Sequence, residues 1–487
     1  MPARVASASQ SVACESATMA AGVTATELMR RAGRSVAEVI IERFPRDGWA
    51  EVVIAAGPGN NGGDGRIIGE VLGSAGYRVQ LVETATGSAG DIGKTPLIVD
   101  ALLGTGSTGA PRGNISPMIA AIEAARAAGA KVVSVDLPSG LDASSGEFEG
   151  AITADLTLAL GTMKRGMLLS RELCGEILVL DIGLRDGEEL TSLPLLVDRE
   201  WVRRRVPMIP RTAHKGTRKR LVVLGGGRGM AGAAILTGRG ALRSGIGLLH
   251  VLVDSENVGA IHAGICEALA GSWPETPEAL ASLGQLSDVI AIGPGLGRSR
   301  RTRELIEGVL LACPGPVVLD ADALNAFEND VRALAELLNS RPAIITPHPA
   351  ELGRLIGIST GAVLERRFDV AVELSRQLGA AVLLKGTPTV VFSPGGERYV
   401  VASGTAALAT GGSGDILTGI CATLLSQMDD PAEAAACAAF THGRAAELCN
   451  GVRGVTLDDV LRAMPAAWNE RGMPPRQGII ARLAAPA

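Results

Sequence analysis

Short apolar runs along the chain end repeatedly in glycine, aspartate or proline, and an amphipathic stretch follows each one. Val52-Val53-Ile54 leads into Gly57-Pro58-Gly59-Asn60-Asn61-Gly62-Gly63-Asp64-Gly65. Leu97-Ile98-Val99 leads into Asp100 and then Gly104-Thr105-Gly106, and Val132-Val133-Ser134-Val135 into Asp136-Leu137-Pro138-Ser139-Gly140. Further on, Leu221-Val222-Val223-Leu224 meets three glycines, and Val289-Ile290-Ala291-Ile292 meets Gly293-Pro294-Gly295-Leu296-Gly297. Val317-Val318-Leu319 meets Asp320-Ala321-Asp322, Ile344-Ile345 meets Thr346-Pro347-His348-Pro349, and Val382-Leu383-Leu384 meets Lys385-Gly386. Unbroken apolar runs of this length predict strands buried on both faces, hence parallel sheets covered by helices. Repeated strand–helix units predict an α/β, doubly wound architecture. In such folds ligands bind beyond the carboxyl ends of the strands, which is where the glycine-rich and polar strings fall.

A polar, proline-punctuated stretch from Leu193-Pro194 through Pro207, Pro210 and Arg211 separates two series of units. The halves share no repeat, so two unrelated α/β domains are expected, residues 1–205 and 206–487. The basic cluster Arg203, Arg204, Arg205, Lys215, Arg218, Lys219 and Arg220 reads as a solvated face, with phosphate steering as the alternative.

Composition narrows the chemistry. With 46 basic and 51 acidic side chains in 487 residues, the net charge of −5 favours neither nucleic acid nor an anionic membrane. Aromatics, at 2%, are too few for base-stacking platforms. No apolar run approaches the ~18 residues of a membrane span. The opening residues, Met1 to Ser7, lack a leader's continuous apolar stretch. Seven scattered cysteines without a Cys-x-x-Cys pair suit reduced thiols in a cytoplasm, and five unclustered histidines give no zinc pattern.

In the first half, glycines around Asn60, Asn61 and Asp64 permit close approach of backbone N–H groups to a ligand. A helix expected from Arg66 onward would turn those donors toward phosphate oxygens. The string is not the dinucleotide fingerprint of hydride-transfer enzymes. Asp100 and Asp136 each follow a strand and should enter one crevice. With Asn61 and Ser139 they supply the oxygen ligands of a hard cation; Asp136 equally suits proton transfer. Spacing leaves both roles open.

Asn60–Gly65, Asp100–Gly106, Asp136-Leu137-Pro138-Ser139-Gly140-Leu141-Asp142 and Lys164 together resemble the YjeF N-terminal domain, the NAD(P)HX epimerase family, over most of residues 10–200. The resemblance implies a Rossmann-like three-layer sandwich. It implies that Asn60, Asn61, Gly62, Gly63, Asp64, Gly104, Thr105 and Gly106 bind the hydrated nicotinamide nucleotide, and that Asp136 contacts the damaged ring. It further implies that Asn61, Asp100 and Ser139 hold K+, and that the R and S epimers at C6 are interconverted.

In the second half, Ala409-Thr410-Gly411-Gly412-Ser413-Gly414-Asp415 precedes apolar residues at helical spacing. A glycine turn on a helix N-terminus suits developing phosphate charge. A carboxylate at that lip, Asp415, fits the task of accepting a hydroxyl proton, against the alternative of a plain helix cap. Lys385-Gly386-Thr387-Pro388-Thr389 can cradle a nucleotide phosphate. His348, between two prolines, is rigidly placed for ligand contact.

Residues 206–480 resemble the YjeF C-terminal domain, the NAD(P)HX dehydratases of the ribokinase-like superfamily. The strings that carry the resemblance are His214-Lys215-Gly216, Gly293–Gly297, Asp320–Asn325, Thr346–Glu351, Gly412–Asp415 and His442-Gly443-Arg444-Ala445. It implies Asp415 as catalytic base, adenine-nucleotide contacts from Gly414 and residues 385–389, and substrate contacts from Ala233, Gly295 and His348. It implies Mg2+, and ADP as co-substrate in the bacterial manner, acting on NADHX or NADPHX. A homo-oligomer in the cytoplasm, without nucleic acid or membrane partners, is expected. Two rival readings are a vitamin-precursor kinase of the same superfamily and a nucleotide-sensing scaffold; the first leaves the Asn60-Asn61 string unexplained, and intact Asn61, Asp100 and Asp136 oppose the second.

Overall fold

The computed structural model describes residues 2–92, 95–338, 341–470 and 478–486. All eight apolar runs form strands. The chain divides into two compact units, Met1–Leu196 with Met473–Pro486, and Val197–Gly472. The division therefore precedes the basic helix Arg199–Arg205 instead of following it. The terminal strand Ile479–Leu483 also belongs to the first unit, where it pairs antiparallel with Glu176–Leu180 and closes an otherwise open sheet edge.

The first unit is built on a sheet ordered Ile479–Leu483, Glu176–Leu180, Leu156–Leu160, Lys131–Val135, Leu97–Ala101, Glu51–Ala56, Arg78–Glu83, parallel except for the terminal strand. Alternate residues of one strand feed two cores. Val52 and Ile54 pack with Val36, Ile40, Ile68 and Leu72, while Val53 and Ala55 pack with Met118, Ile119 and Ile122. Burial on both faces gives three layers. Winding reverses between Glu51–Ala56 and Leu97–Ala101, so their carboxyl ends open a crevice.

Nine strands of the second unit run in the order Leu269–Ser272, Leu248–Val253, Arg220–Leu224, Val289–Ile292, Val317–Leu319, Ala343–Ile345, Ala381–Leu384, Thr389–Phe392, Arg398–Val401; the last two are antiparallel additions. Winding reverses between Arg220–Leu224 and Val289–Ile292. The helix Ser413–Leu425 lies directly on Ala231–Ser244, because glycines let the backbones meet. A Cβ at Gly419 would fall 2.0 Å from the Thr237 carbonyl oxygen, and one at Gly240 2.4 Å from that of Ile416. This contact sets where Asp415 stands. On the basic helix Arg203 and Arg204 are exposed and pair with Glu200, while Arg205 is half-buried, lies over the Trp201 ring and pairs with Glu433. Among the described residues no helix is long and apolar enough to cross a membrane, and the seven cysteines are unpaired.

Candidate active sites

In the first unit the helix begins earlier than its glycines suggest: it spans Asn60–Ser74, with Gly59 as a cap that has no side chain. The expected loop is thus the first turn of the helix, and its leading N–H groups have no side-chain cap. Glycine is needed there partly for packing. A Cβ at Gly62 would lie 1.9 Å from the Gly57 carbonyl oxygen, and one at Gly63 2.6 Å from Met29 Sδ. Gly104 approaches this turn closely, since a Cβ on it would stand 3.1 Å from Asn61 Cβ.

Asn61 is buried and donates from Nδ2 to the carbonyls of Leu103 (2.7 Å) and Val135 (3.2 Å). Its Oδ1 is left buried without a partner. Beside it, Asp100 is fully buried and accepts from Ser134 Oγ, Ser139 N, Ser139 Oγ and Leu102 N at 2.8, 2.9, 2.6 and 3.3 Å. Burial raises the Asp100 pKa against those hydrogen bonds. Ser139 Oγ also accepts from Leu103 N at 2.8 Å. The three residues expected to hold K+ are therefore brought together, and the orphaned Asn61 Oδ1 is the kind of hard oxygen such an ion needs.

Asp136 takes a left-handed backbone, φ 69°, at the end of its strand. Its carboxylate accepts from Thr105 Oγ1, from Lys164 Nζ and, at 3.2 Å, from Leu160 N. Lys164 is completely buried and also donates to the carbonyls of Leu160 (2.9 Å) and Thr162 (3.2 Å). A buried ammonium fixed this way holds the carboxylate in one orientation. Asp64 has its pKa pushed up to about 8, by burial and by Asp136 and Glu15, with Lys164 opposing. Glu15, on the helix Ala8–Ala20, is raised likewise by burial and by Asp136. Sequence reading missed Glu15, because nothing local ties that helix to residues 64 and 136. A cavity of about 490 Å³ adjoins the Gly104–Gly106 turn, lined among others by Leu103, Ser107, Gly140, Leu141 and Phe148.

In the second unit the helix Ser413–Leu425 starts from Gly412, at φ 96° and without a side-chain cap, and Asp415 lies in its first turn. Burial pushes the Asp415 carboxyl up to about 7, joined by Asp320, Asp322 and Glu351 and opposed by Lys385. Lys385 Nζ is 2.8 Å from Asp320 Oδ1 and would meet a Cβ on Gly414 at 3.4 Å. The turn Lys385–Thr389 is braced by Thr389 Oγ1, donating to the Gly386 carbonyl at 3.0 Å, and by buried Arg367, donating to that of Pro388 at 3.1 Å. Arg367 sits far from the turn in sequence, so only the fold reveals it.

His348 caps the helix Pro349–Ile356: its Nδ1 accepts from Ala350 N (3.1 Å) and Glu351 N (3.3 Å). Nδ1 is thereby the acceptor, so the half-exposed Nε2 carries the ring's hydrogen. Ala233 and Gly295 adjoin at the switch point, where a Cβ on Gly295 would come within 3.0 Å of Ala233 Cβ. His214, Lys215 and Gly216 lie at the surface. His442 is buried with Nε2 unpartnered.

Comparison with known proteins gives a consistent pattern. A family model described as NAD(P)H-hydrate dehydratase matches residues 221–465, and one described as YjeF-related protein N-terminus matches residues 25–94 and 83–166. The bifunctional NAD(P)H-hydrate repair enzyme Nnr of Moorella thermoacetica is 34% identical over 488 residues, covering 90% of this chain and 91% of that one. Its Escherichia coli K12 counterpart is 34% identical, covering 92% and 90%. A ribokinase-like superfamily protein of Enterococcus faecalis V583 superposes with a TM-score of 0.50 at 27% identity, covering 56% of this chain and 95% of that structure.

Proposed function

The chain belongs to the bifunctional NAD(P)H-hydrate repair family, with a YjeF-type N-terminal half and a dehydratase half, and from that premise we propose how its two sites divide the work. It is an enzyme that epimerises R- and S-NAD(P)HX and dehydrates the S form to NAD(P)H. The unit up to Leu196 performs the epimerisation and the unit from Val197 the dehydration.

In the dehydratase site ADP gives its terminal phosphoryl group to the C6 hydroxyl of S-NAD(P)HX, releasing AMP. Asp415 takes the hydroxyl proton as the oxygen attacks phosphorus. The Gly414 N–H, at a helix start without a side-chain cap, and the Lys385 ammonium meet the charge on the transferring group. Phosphate then leaves as the C6–O bond breaks, and water takes the C5 proton so that the electrons of the C5–H bond form the ring double bond. Lys385, Gly386, Thr387, Pro388, Thr389 and Gly414 hold the nucleotide, while Ala233, Gly295 and His348 hold the hydrated ring. Bound with the nucleotide, Mg2+ would offset phosphate charge. The observation that carries this reading is Asp415 beside Lys385 at an uncapped helix start, at the carboxyl end of the sheet.

In the epimerase site Asp136, oriented by Lys164 and Thr105, takes the C6 hydroxyl proton as the C6–N1 bond breaks, the proton passes to N1, and the ring opens to an aldehyde. N1 adding back to the other face of that carbonyl reverses the transfer and gives the other epimer, while Asp64 offers a hydrogen bond from its protonated carboxyl. Asn60, Asn61, Gly62, Gly63, Gly104, Thr105 and Gly106 bind the nucleotide. Asn61, Asp100 and Ser139 would hold K+, which would supply positive charge at the site; the unpaired Asn61 Oδ1 supports that set. The enzyme works as a cytoplasmic homo-oligomer. Incubation with purified R-NADHX tests the division: Asp136→Asn leaves R-NADHX unconverted while S-NADHX is still dehydrated.

A further inference from the structure

The end of the strand Val317–Leu319 carries Asp320, whose side chain is almost wholly buried and whose two oxygens are both engaged. Oδ1 receives the Lys385 ammonium at 2.8 Å, and Oδ2 receives the Thr418 hydroxyl at 2.7 Å. Thr418 lies one turn beyond Gly414, and its hydroxyl also reaches the Gly414 carbonyl at 3.1 Å. On the other side Glu351 Oε2 stands 3.8 Å from Lys385 Nζ and accepts from His348 N at 2.8 Å. Two strand ends, the helix Pro349–Ile356 and the Asp415 helix are thus tied together around one ammonium. A buried ion pair is a weak stabilising device, because desolvation of both charges offsets their attraction. Its geometry is more telling: the ammonium is held within 3.4 Å of where a Gly414 side chain would begin.

We propose that Asp320 is a positioning residue for phosphoryl transfer: braced by Thr418, it aims the Lys385 ammonium at the group transferred across Gly414. This rests on the dehydratase reading of the second unit. Without Asp320, Lys385 would lose its short partner and move toward Glu351, away from the helix start. Asp320 also helps to keep the proton on Asp415, which faces Asp320, Asp322, Glu351 and Lys385. Removal of its charge therefore has a signature that a loss of packing lacks.

The test uses the full chain with S-NADHX and ADP, wild type beside Asp320→Asn, Asp320→Glu and Thr418→Val, each checked for folding by its thermal transition. Asp320→Asn is expected to lower kcat by about 10- to 100-fold, below the cost of deleting a transition-state donor outright, with KM for S-NADHX within about twofold, since the ring's own contacts are untouched. The acidic limb of its kcat/KM profile moves to lower pH. Asp320→Glu restores part of kcat, and Thr418→Val gives a smaller fall. A folded Asp320→Asn with wild-type kcat overturns the proposal, as does a lower kcat with an unmoved acidic limb. A wild-type protein that recovers no NADH from S-NADHX sinks the dehydratase reading instead.

Discussion

Asn61 Nδ2 lies 2.7 Å from the carbonyl oxygen of Leu103. That bond, with a second to Val135, turns the amide so that Oδ1 faces inward with no donor. A buried acceptor left unpaired is costly, by about 1–3 kcal/mol, unless something meets it. K+ held between Asn61, Asp100 and Ser139 would meet it. Replacing choline chloride by KCl is expected to raise the melting temperature of the wild-type protein by about 3 °C, through binding to the folded state alone. Asn61→Leu removes the oxygen, and its melting temperature should not respond to the exchange of salts. An equal response in both proteins would count against the ion site.

Thr105 and Lys164 hold the Asp136 carboxylate, the group on which epimerisation is proposed to turn. Asp136→Asn is expected to lower the R-to-S rate by about 10²- to 10⁴-fold, the usual contribution of a positioned acid–base group. Thr105→Val, which removes one of three donors, should cost about tenfold. Both are read by following R-NADHX consumption, with dehydration of S-NADHX as the internal control.

With Asp415 as the proposed base, its raised pKa, about 7, should set the pH response of dehydration. A base must be unprotonated to act, so kcat/KM should fall about tenfold per unit once the pH is well below 7, and level off above it. Stability runs the other way. The folded carboxyl keeps its proton between the ordinary value of 3.8 and about 7, where the unfolded one has lost it. Its contribution thus becomes less favourable as pH rises through that window, and the deficit is complete above it. Asp415→Asn should accordingly raise the melting temperature at pH 8 and change it little at pH 4. A variant that is destabilised at pH 8 would show that the carboxylate is compensated in the fold.

Gly419 touches the backbone of the neighbouring helix, so it tests how the Asp415 helix is seated. Gly419→Ala must part the two helices and is expected to cost about 3 kcal/mol, in the range for overpacked cores. Denaturant titration gives that figure directly. Gly411→Ala, in open space at the turn before the same helix, should cost much less.

Much of this was legible from local pattern. Each apolar run became a strand, because a strand buried on both faces has no polar side to disguise it. Asp100, Asp136, His348 and Lys385 stood out because each follows an apolar run and a doubly wound sheet opens a crevice at its strand ends, and Asp415 because a glycine turn precedes apolar residues at helical spacing. The early start of the helix at Asn60 was hidden, since Gly62, Gly63 and Gly65 read as loop residues yet are helical for close packing against Gly57, Met29 and Ala101. The strand Ile479–Leu483 belongs with a partner far back along the chain, Glu176–Leu180, and no local signal carries that pairing. The same holds for Asp320 with Lys385 and for Glu15 with Asp64: their charges act across the fold, and spacing along the chain is silent about them.

The most direct measurement follows recovery of nicotinamide absorbance from a mixture of R- and S-NADHX supplied with ADP and Mg2+. The wild-type chain should restore the whole of it, Asp136→Asn only the S share at once, and Asp415→Ala none while still interconverting the epimers. Recovery by Asp415→Ala at the wild-type rate, or a wild-type chain that accumulates a stable phosphorylated product in place of NADH, would contradict the assignment of Asp415 and of the repair reaction.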